Sequence, residues 1–415
     1  MAAVMVNLPK LEKWKQKNPS PHGDYNSVAI SADGSKVVGG TFYYNENGTI
    51  PSETVGMFAW DGSGTHLRPP HTYSVTALPD ARAGVESVAI SKDGSWAASG
   101  GLMSPGVGFL HVYDSAGNPT SLHHFSTAVR GVALSSDGSY LVAASDVLYV
   151  FKRNGNAWSA PVTVADPQGN VRRVDISDDG QWIATSIDDG WTSLVRNQLG
   201  TGGNLSVAGK WQLLPRNPGK PYVQHVAVAG DGSAYAAAGA NGKVYYFDIA
   251  ALQNGPLTPR WHHDGWGKST CRWVAISKDG SHVAAVFSFD PNPASPNTPS
   301  KGRTYFLKNL DPPGPGGKEY DRLWTGSERT AHGPNAVSMG QTSNGDYYIA
   351  VADGTWKTAG GFYLFDGSNG DSKWGGPPDH NFSTTEMNYC VAMSADATAI
   401  VGGGNDGYVY YFTVP

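Results

Sequence analysis

One phrase returns eight times along these 415 residues: a Val-Ala-Ile-Ser strand, an Asp-Gly pair, then a run of small apolar residues. The first copy reads Ser27-Val28-Ala29-Ile30-Ser31-Ala32-Asp33-Gly34-Ser35. The anchor valines are Val28, Val88, Val132, Val174, Val226, Val274, Val337 and Val391, spaced by 60, 44, 42, 52, 48, 63 and 54 residues. A repeat of this length constrains the fold more than any single residue does, because each unit must bury its apolar face against a copy of itself.

The turn follows five residues after the Val at Asp33-Gly34, Asp93-Gly94, Asp137-Gly138, Asp179-Gly180, Asp231-Gly232 and Asp279-Gly280. Copy seven has Asn344-Gly345 after a two-residue insertion, and copy eight has Asp396-Ala397. Asp-Gly and Asn-Gly between apolar runs are hairpin signals, because both residues tolerate positive φ. A small second strand follows, such as Ala236-Ala237-Ala238, then an aromatic third strand, such as Val244-Tyr245-Tyr246-Phe247. A fourth segment often carries Trp, as at Trp158, Trp211, Trp261, Trp324 and Trp374.

Four strands in roughly 40–45 residues make one propeller blade. The pattern therefore predicts an all-β, eight-bladed β-propeller of four-stranded antiparallel blades. Lys10-Leu11-Glu12-Lys13-Trp14 looks like a fourth segment placed before the first Val. Residues 8–18 are thus expected to form the outer strand of the last blade and close the ring, so that 1–415 is a single domain hiding its sheet edges.

The repeat resembles the WD40-like and quinoprotein-like (PQQ-like) β-propeller families. Val-Ala-Ile-Ser-Lys-Asp-Gly-Ser, at 88–95 and 274–281, is similar to the Ser-Pro-Asp-Gly corner of WD40 repeats. Asn241-Gly242-Lys243-Val244-Tyr245 is similar to the third strand of quinoprotein repeats, and a Trp-Asp dipeptide stands at Trp60-Asp61. The resemblance covers nearly the whole chain and implies the scaffold; function lives in sites placed on it.

A net charge of −5 argues against a nucleic-acid binder, which would carry a basic surface. No apolar run reaches the roughly 18 residues of a membrane span, so none is expected. The first residues are too short for a signal-peptide core, which leaves a cytoplasmic protein or the mature form of an exported one. A monomer is expected. Cys271 and Cys390 open strands of non-neighbouring copies and read as two buried thiols rather than a disulfide.

Insertions fall in the loops at the end opposite the Asp-Gly turns, such as 41–56, 288–303, 312–333 and 352–361, with Phe42, Tyr43, Tyr44, Trp191, Phe289 and Trp356 among their aromatics. Elaborated loops on one face of a rigid scaffold usually carry function. Two residues before each anchor stand Asn26, Glu86, Arg130, Arg172, Gln224, Arg272, Asn335 and Tyr389. None is aliphatic, and this register should rim the channel mouth. The reading is either a solvated rim or a binding ring. Three arginines against one glutamate favour a carboxylate, a phosphate or an acidic side chain.

The next position is small except at Arg173, His225 and Trp273, and the position after the Val is Ala except at Asp175 and Ser338. Such breaks in pattern mark candidate sites. Arg173 and Asp175 read as an ion pair between blades or as a substrate clamp.

No cofactor is predicted; a metal held by His22, His225, His332 and His380 is the minor alternative. No paired Cys, zincin, P-loop or nucleophile-elbow motif occurs. The reading is a non-catalytic interaction module whose channel rim binds a peptide, a protein or a small anionic ligand. The alternative is a propeller enzyme, a hydrolase, lyase or metal-dependent oxidoreductase, using Glu86, His225, His332, Asp175 and the arginines. A lectin is the third reading.

Overall fold

The Ser-x-Asp-Gly phrase folds alike in copy after copy. At Ser31 the hydroxyl donates to Asp33 Oδ1 (2.7 Å) and accepts from the Lys36 amide (2.9 Å), while the Ser35 amide donates to the same Asp33 oxygen (3.0 Å). Gly34 sits at φ +70°, the left-handed region that suits glycine. Ser91, Ser135, Ser177, Ser277 and Ser394 repeat the bond to their own aspartate. Burial pushes the Asp33 carboxyl up, but hydrogen bonds from Ser31 and Ser35 outweigh it and hold the group below its ordinary value.

These turns belong to a computed structural model that describes residues 12–17, 24–44, 53–65, 71–75, 82–104, 106–115, 117–164, 169–214, 223–254, 256–267, 269–289, 301–327, 333–354, 360–368, 382–384 and 386–414. The described residues are strand, turn and short 3-10 segments, without an α-helix. All pairings are antiparallel.

Five sheets have four strands each. A fifth strand in another sheet comes from a split outer edge, since Ala157–Trp158 and Val162–Val164 both pair with Leu148–Asn154. The eight-stranded sheet is two four-stranded units joined where Phe42, Tyr43 and Tyr44 pair with Gly84, Ala83 and Arg82. Residues 41–44 were expected in a loop; they extend the strand Lys36–Tyr44 instead. Their β-branched and aromatic side chains suit that extension.

The opening strand of each unit carries the anchor Val, and all eight valines are buried at 8% exposure or less. These strands run Asp24–Ile30, Arg82–Ile90, Gly131–Leu134, Val171–Ile176, Val223–Val228, Thr270–Ile276, Pro334–Gln341 and Asn388–Met393. Each lies against the next, and the last lies against the first. Their turns are also joined through the backbone. Ala32 donates to Lys92 (2.9 Å), Lys92 to Ser136 (2.9 Å), Ser136 to Asp178 (3.0 Å), Asp178 to Gly230 (2.8 Å) and Asp231 to Lys278 (2.9 Å). Gln341 donates to Ala395 (3.0 Å), and Asp396 donates back to Ala32 (3.4 Å).

The second strand Ala234–Gly239 is wholly buried, its alanines and glycine suiting a place where neighbouring sheets crowd, while Tyr235 packs on Phe247. Third strands carry the aromatic bulk. Glu12–Lys17 pairs with the final third strand, Tyr408–Thr413. Trp14 stacks on Tyr411 at 5.1 Å there, and its indole donates to the Gly62 carbonyl of the first unit. Cys271 and Cys390 are free buried thiols, and burial pushes both above their ordinary value.

Part of the excess length of the sixth copy, residues 301–327, is strand and turn. Lys301–Gly314 and Lys318–Ser327 form a long hairpin with Pro312-Pro313-Gly314-Pro315-Gly316-Gly317 at its turn. Residues 312–333 were expected in a loop at the end opposite the Asp-Gly turns. Instead 318–327 is strand, and the tip projects from the Asp-Gly end, where the Asn309 amide donates to the Ser281 carbonyl (2.8 Å).

Candidate binding site

The position two before each anchor has a structural meaning beyond its polarity. Asn26, Glu86, Arg172, Gln224, Arg272, Asn335 and Tyr389 each lie at a register shift between the opening strand and its neighbour. In the first unit Tyr25 pairs with Thr41 and Ser27 with Gly40, leaving Asn26 as the extra residue. Each is therefore a β-bulge, which bends the strand and re-aims a side chain. Arg130 immediately precedes its strand, Gly131–Leu134. An aliphatic side chain re-aimed out of the sheet would lose its packing, which accounts for the polar run at this register.

All these residues sit at the ends of the opening strands away from the Asp-Gly turns. The turn between second and third strands returns to that same end, as Val171 pairing with Ile187 shows. This brings in a residue the sequence reading missed. The Arg172 Nε donates to Asp188 Oδ1, and Arg130 Nη1 lies 3.8 Å from Asp188 Oδ2. Two of the three ring arginines thus converge on one carboxylate. Arg272 Nε donates to Ser288 Oγ (2.7 Å). The signal for Asp188 was its place at the second-to-third-strand turn, Asp188-Asp189-Gly190, beside the one copy with two adjacent arginines.

The three residues that break the small-residue rule come together. His225 stacks on Trp273, and the Arg173 guanidinium lies 5.9 Å from the centre of the Trp273 ring. His225 Nδ1 meets the Val274 carbonyl at 3.1 Å. Burial first, then the Arg173 charge, lowers the His225 pKa to about 3, so the imidazole is neutral. Gly131, at the equivalent position of the third unit, leaves the space this group needs: a Cβ there would meet the backbone of Arg172 and Arg173 at 3.2 Å.

Arg173 and Asp175 reach opposite neighbours. Arg173 Nη1 donates to the Arg130 carbonyl, in the preceding unit. The Asp175 carboxylate accepts from the Val228 amide (2.7 Å), in the following one. Burial raises the Asp175 pKa to about 6, against the pull of that amide. Ser338 does the same work for the Met393 amide (3.1 Å). Asn26 donates to the Glu86 carbonyl (3.1 Å), and Asn335 donates to the Gly354 and Asn388 carbonyls (3.0 and 2.9 Å). Glu86, Gln224 and Tyr389 are half-buried. Several ring side chains therefore tie unit to unit while keeping part of their surface open.

His22, His332 and His380, and the loop aromatic Trp356, lie outside the described residues. Among the described residues, no group of three or more His, Cys, Asp or Glu side chains could hold a metal ion. No helix there is long and apolar enough to cross a membrane. Of the loop aromatics, Phe42, Trp191 and Phe289 are half-buried. Trp266, which the sequence reading passed over, is exposed beside Phe289 (5.7 Å), with the Arg303 guanidinium 4.6 Å from its ring centre.

Residues 118–146 match the family model of the WD domain, G-beta repeat. The match runs from the outer strand Pro119–Phe125, through the turn at Asp137-Gly138, into the strand Tyr140–Ala144. No curated protein matches the chain. The repeat match and the many four-stranded antiparallel sheets together fit a WD40-like β-propeller.

Proposed function

We propose that the eight units close into one eight-bladed ring, a single domain, and that the bulge-borne ring of side chains binds a partner peptide through an acidic side chain or terminal carboxylate. WD40 repeats generally mediate protein or peptide interaction, which supports a non-catalytic interaction module. The packing of the last opening strand on the first, and the hydrogen bond from Asp396 back to Ala32, support closure.

The observation that carries the binding reading is the meeting of Arg130 and Arg172 at Asp188. Asp188 holds two guanidinium groups side by side at the same end of the strands. An incoming carboxylate can take bidentate hydrogen bonds from such a pair. The neutral His225–Trp273 stack offers a flat apolar surface for the residue beside that carboxylate.

A peptide array in which every peptide is paired with its amide-for-acid twin tests this. Acidic peptides should bind and their twins should not. Arg130→Ala and Arg172→Ala should each weaken binding roughly tenfold while leaving thermal unfolding unchanged. Normal binding by both variants would exclude the ring as the site.

A further inference from the structure

The sixth-unit hairpin carries its tip beyond the Asp-Gly end, past the bond from the Asn309 amide to the Ser281 carbonyl (2.8 Å). Asn309 pairs with Tyr320, and the next pair is Gly314 with Lys318, so Leu310, Asp311, Pro312 and Pro313 face Glu319 alone. Proline has no N–H to donate to a ladder, and two in succession interrupt it. The reversal itself is made further on, where Gly316 and Gly317 stand at φ +72° and +77°. Pro312 and Pro313 therefore cost the hairpin strand pairing without making its turn.

The run is exposed at its tip and held at its base. Asp311, Pro312, Pro313, Pro315, Gly316 and Gly317 are open to solvent. On the side of the fifth unit, Arg260 Nη2 donates to the Leu310 carbonyl (2.8 Å), and its guanidinium pairs with Asp248 (3.4 Å) and Asp311 (3.2 Å). Trp261 Nε1 donates to Asn309 Oδ1 (3.0 Å), and the indole stacks on Tyr320 at 4.6 Å. This brace fixes the direction in which the tip points.

We propose that this tip is a docking element for a partner domain with an aromatic-lined groove of the kind that takes proline-rich segments. Pro312-Pro313-Gly314-Pro315 has the Pro-x-x-Pro spacing, and in an extended chain of three residues per turn two prolines three apart share a face. Their rings bury apolar surface while giving up almost no rotamer freedom. Gly314, between them, lets the groove approach the backbone closely. The ladder skips Leu310 to Pro313, so the partner meets main chain that is not committed to a sheet. Since Arg260 and Trp261 hold the base beforehand, docking orders little more chain. The tip stands at the end of the molecule opposite the ring, and its role does not rest on the ring's.

The test presents the full chain to an array of purified SH3 and WW domains. At least one domain should bind with micromolar affinity. Pro312→Ala combined with Pro315→Ala should weaken that binding by about tenfold or more, and Pro313→Ala, between the two contact positions, by no more than about threefold. Thermal unfolding and the Trp261 indole NMR signal should stay put in both variants, because the Trp261 contacts lie below the tip. Arg130→Ala should bind the domain as the parent does, which separates a failure of the tip from a failure of the ring. An array without a binder, binding that survives the double substitution, or an equal loss from Arg130→Ala overturns the proposal. A dimer that the double substitution dissolves overturns it too, and makes a second copy of the chain the occupant.

Discussion

His225 lies flat on Trp273, with ring centroids 3.8 Å apart and planes 21° from parallel. The two come from successive units at the same repeat position, one that is small in most other copies. Trp273 also packs against two of the buried clusters between neighbouring sheets. Trp273→Ala should cost about 2 kcal/mol, less than a fully buried Trp because this one is only half-buried. It should also raise the His225 pKa from about 3, since water reaches the imidazole once the indole is gone. Urea unfolding and an imidazole NMR titration measure the two effects; an unmoved titration would show that the indole does not desolvate His225.

Asp188 competes with any anion for Arg130 and Arg172. Its carboxylate is 31% exposed, so each pair is screened by water and worth at most about 1 kcal/mol. Asp188→Asn should therefore tighten an acidic peptide by about two- to fivefold, and more so at low salt. Weaker binding by the variant would mean that Asp188 orients the arginines more than it occupies them.

Much of this scaffold is legible in the chain because its signals are local. Ser31, Asp33 and Gly34 make their turn within six residues, and Val28 buries itself wherever its strand pairs. The ring was visible only as a polar register. A bulge at Asn26 depends on how Tyr25 and Ser27 pair with the distant Thr41 and Gly40, which periodicity does not report. Asp188 reaches Arg130 across units, and His263 meets Tyr320 across 57 residues. The hairpin to which Tyr320 belongs was obscured by the proline and glycine of its own tip.

The turn glycines differ from copy eight in what they tolerate. Gly34 stands at φ +70°, and a Cβ there would come within 2.8 Å of the Ala399 Cβ. Gly34→Ala combines left-handed strain of about 1–2 kcal/mol with that clash, so a loss of about 2 kcal/mol or more is expected. Ala397 already adopts φ +58° and is 2% exposed. Ala397→Gly relieves similar strain but gives up about 0.8 kcal/mol of buried methyl and some unfolded-state entropy, so it should fall within about 0.5 kcal/mol of zero. Thermal unfolding of both variants decides; a large gain from Ala397→Gly would show that copy eight carries unrelieved strain.

Acid acts on this fold through groups that oppose one another. Burial first of all holds His225 down to about 3 and His263 and His282 to about 4. Between those values and the ordinary histidine value near 6.5, each histidine binds a proton when unfolded and none when folded, so acidification removes stability. Burial, reinforced by Glu386 and Asp406, raises Asp24 to about 7, and burial raises Asp175 to about 6. In the same window these two keep a proton in the fold and lose it on unfolding, so acidification restores stability. Asp406, also raised above its ordinary value by burial, opposes the histidines in the lower part of that window, so the net decline from pH 6 to 4 is shallow, at most about 1.4 kcal/mol per unit. Asp24→Asn removes one restoring group and, above pH 7, one charge held at a cost. Its stability should exceed the parent's by more than about 1 kcal/mol at pH 8, match it near pH 4, and fall more steeply between. Denaturant midpoints across that range measure this, and an equal increment at both ends would rule out Asp24 as a group neutralised by its burial.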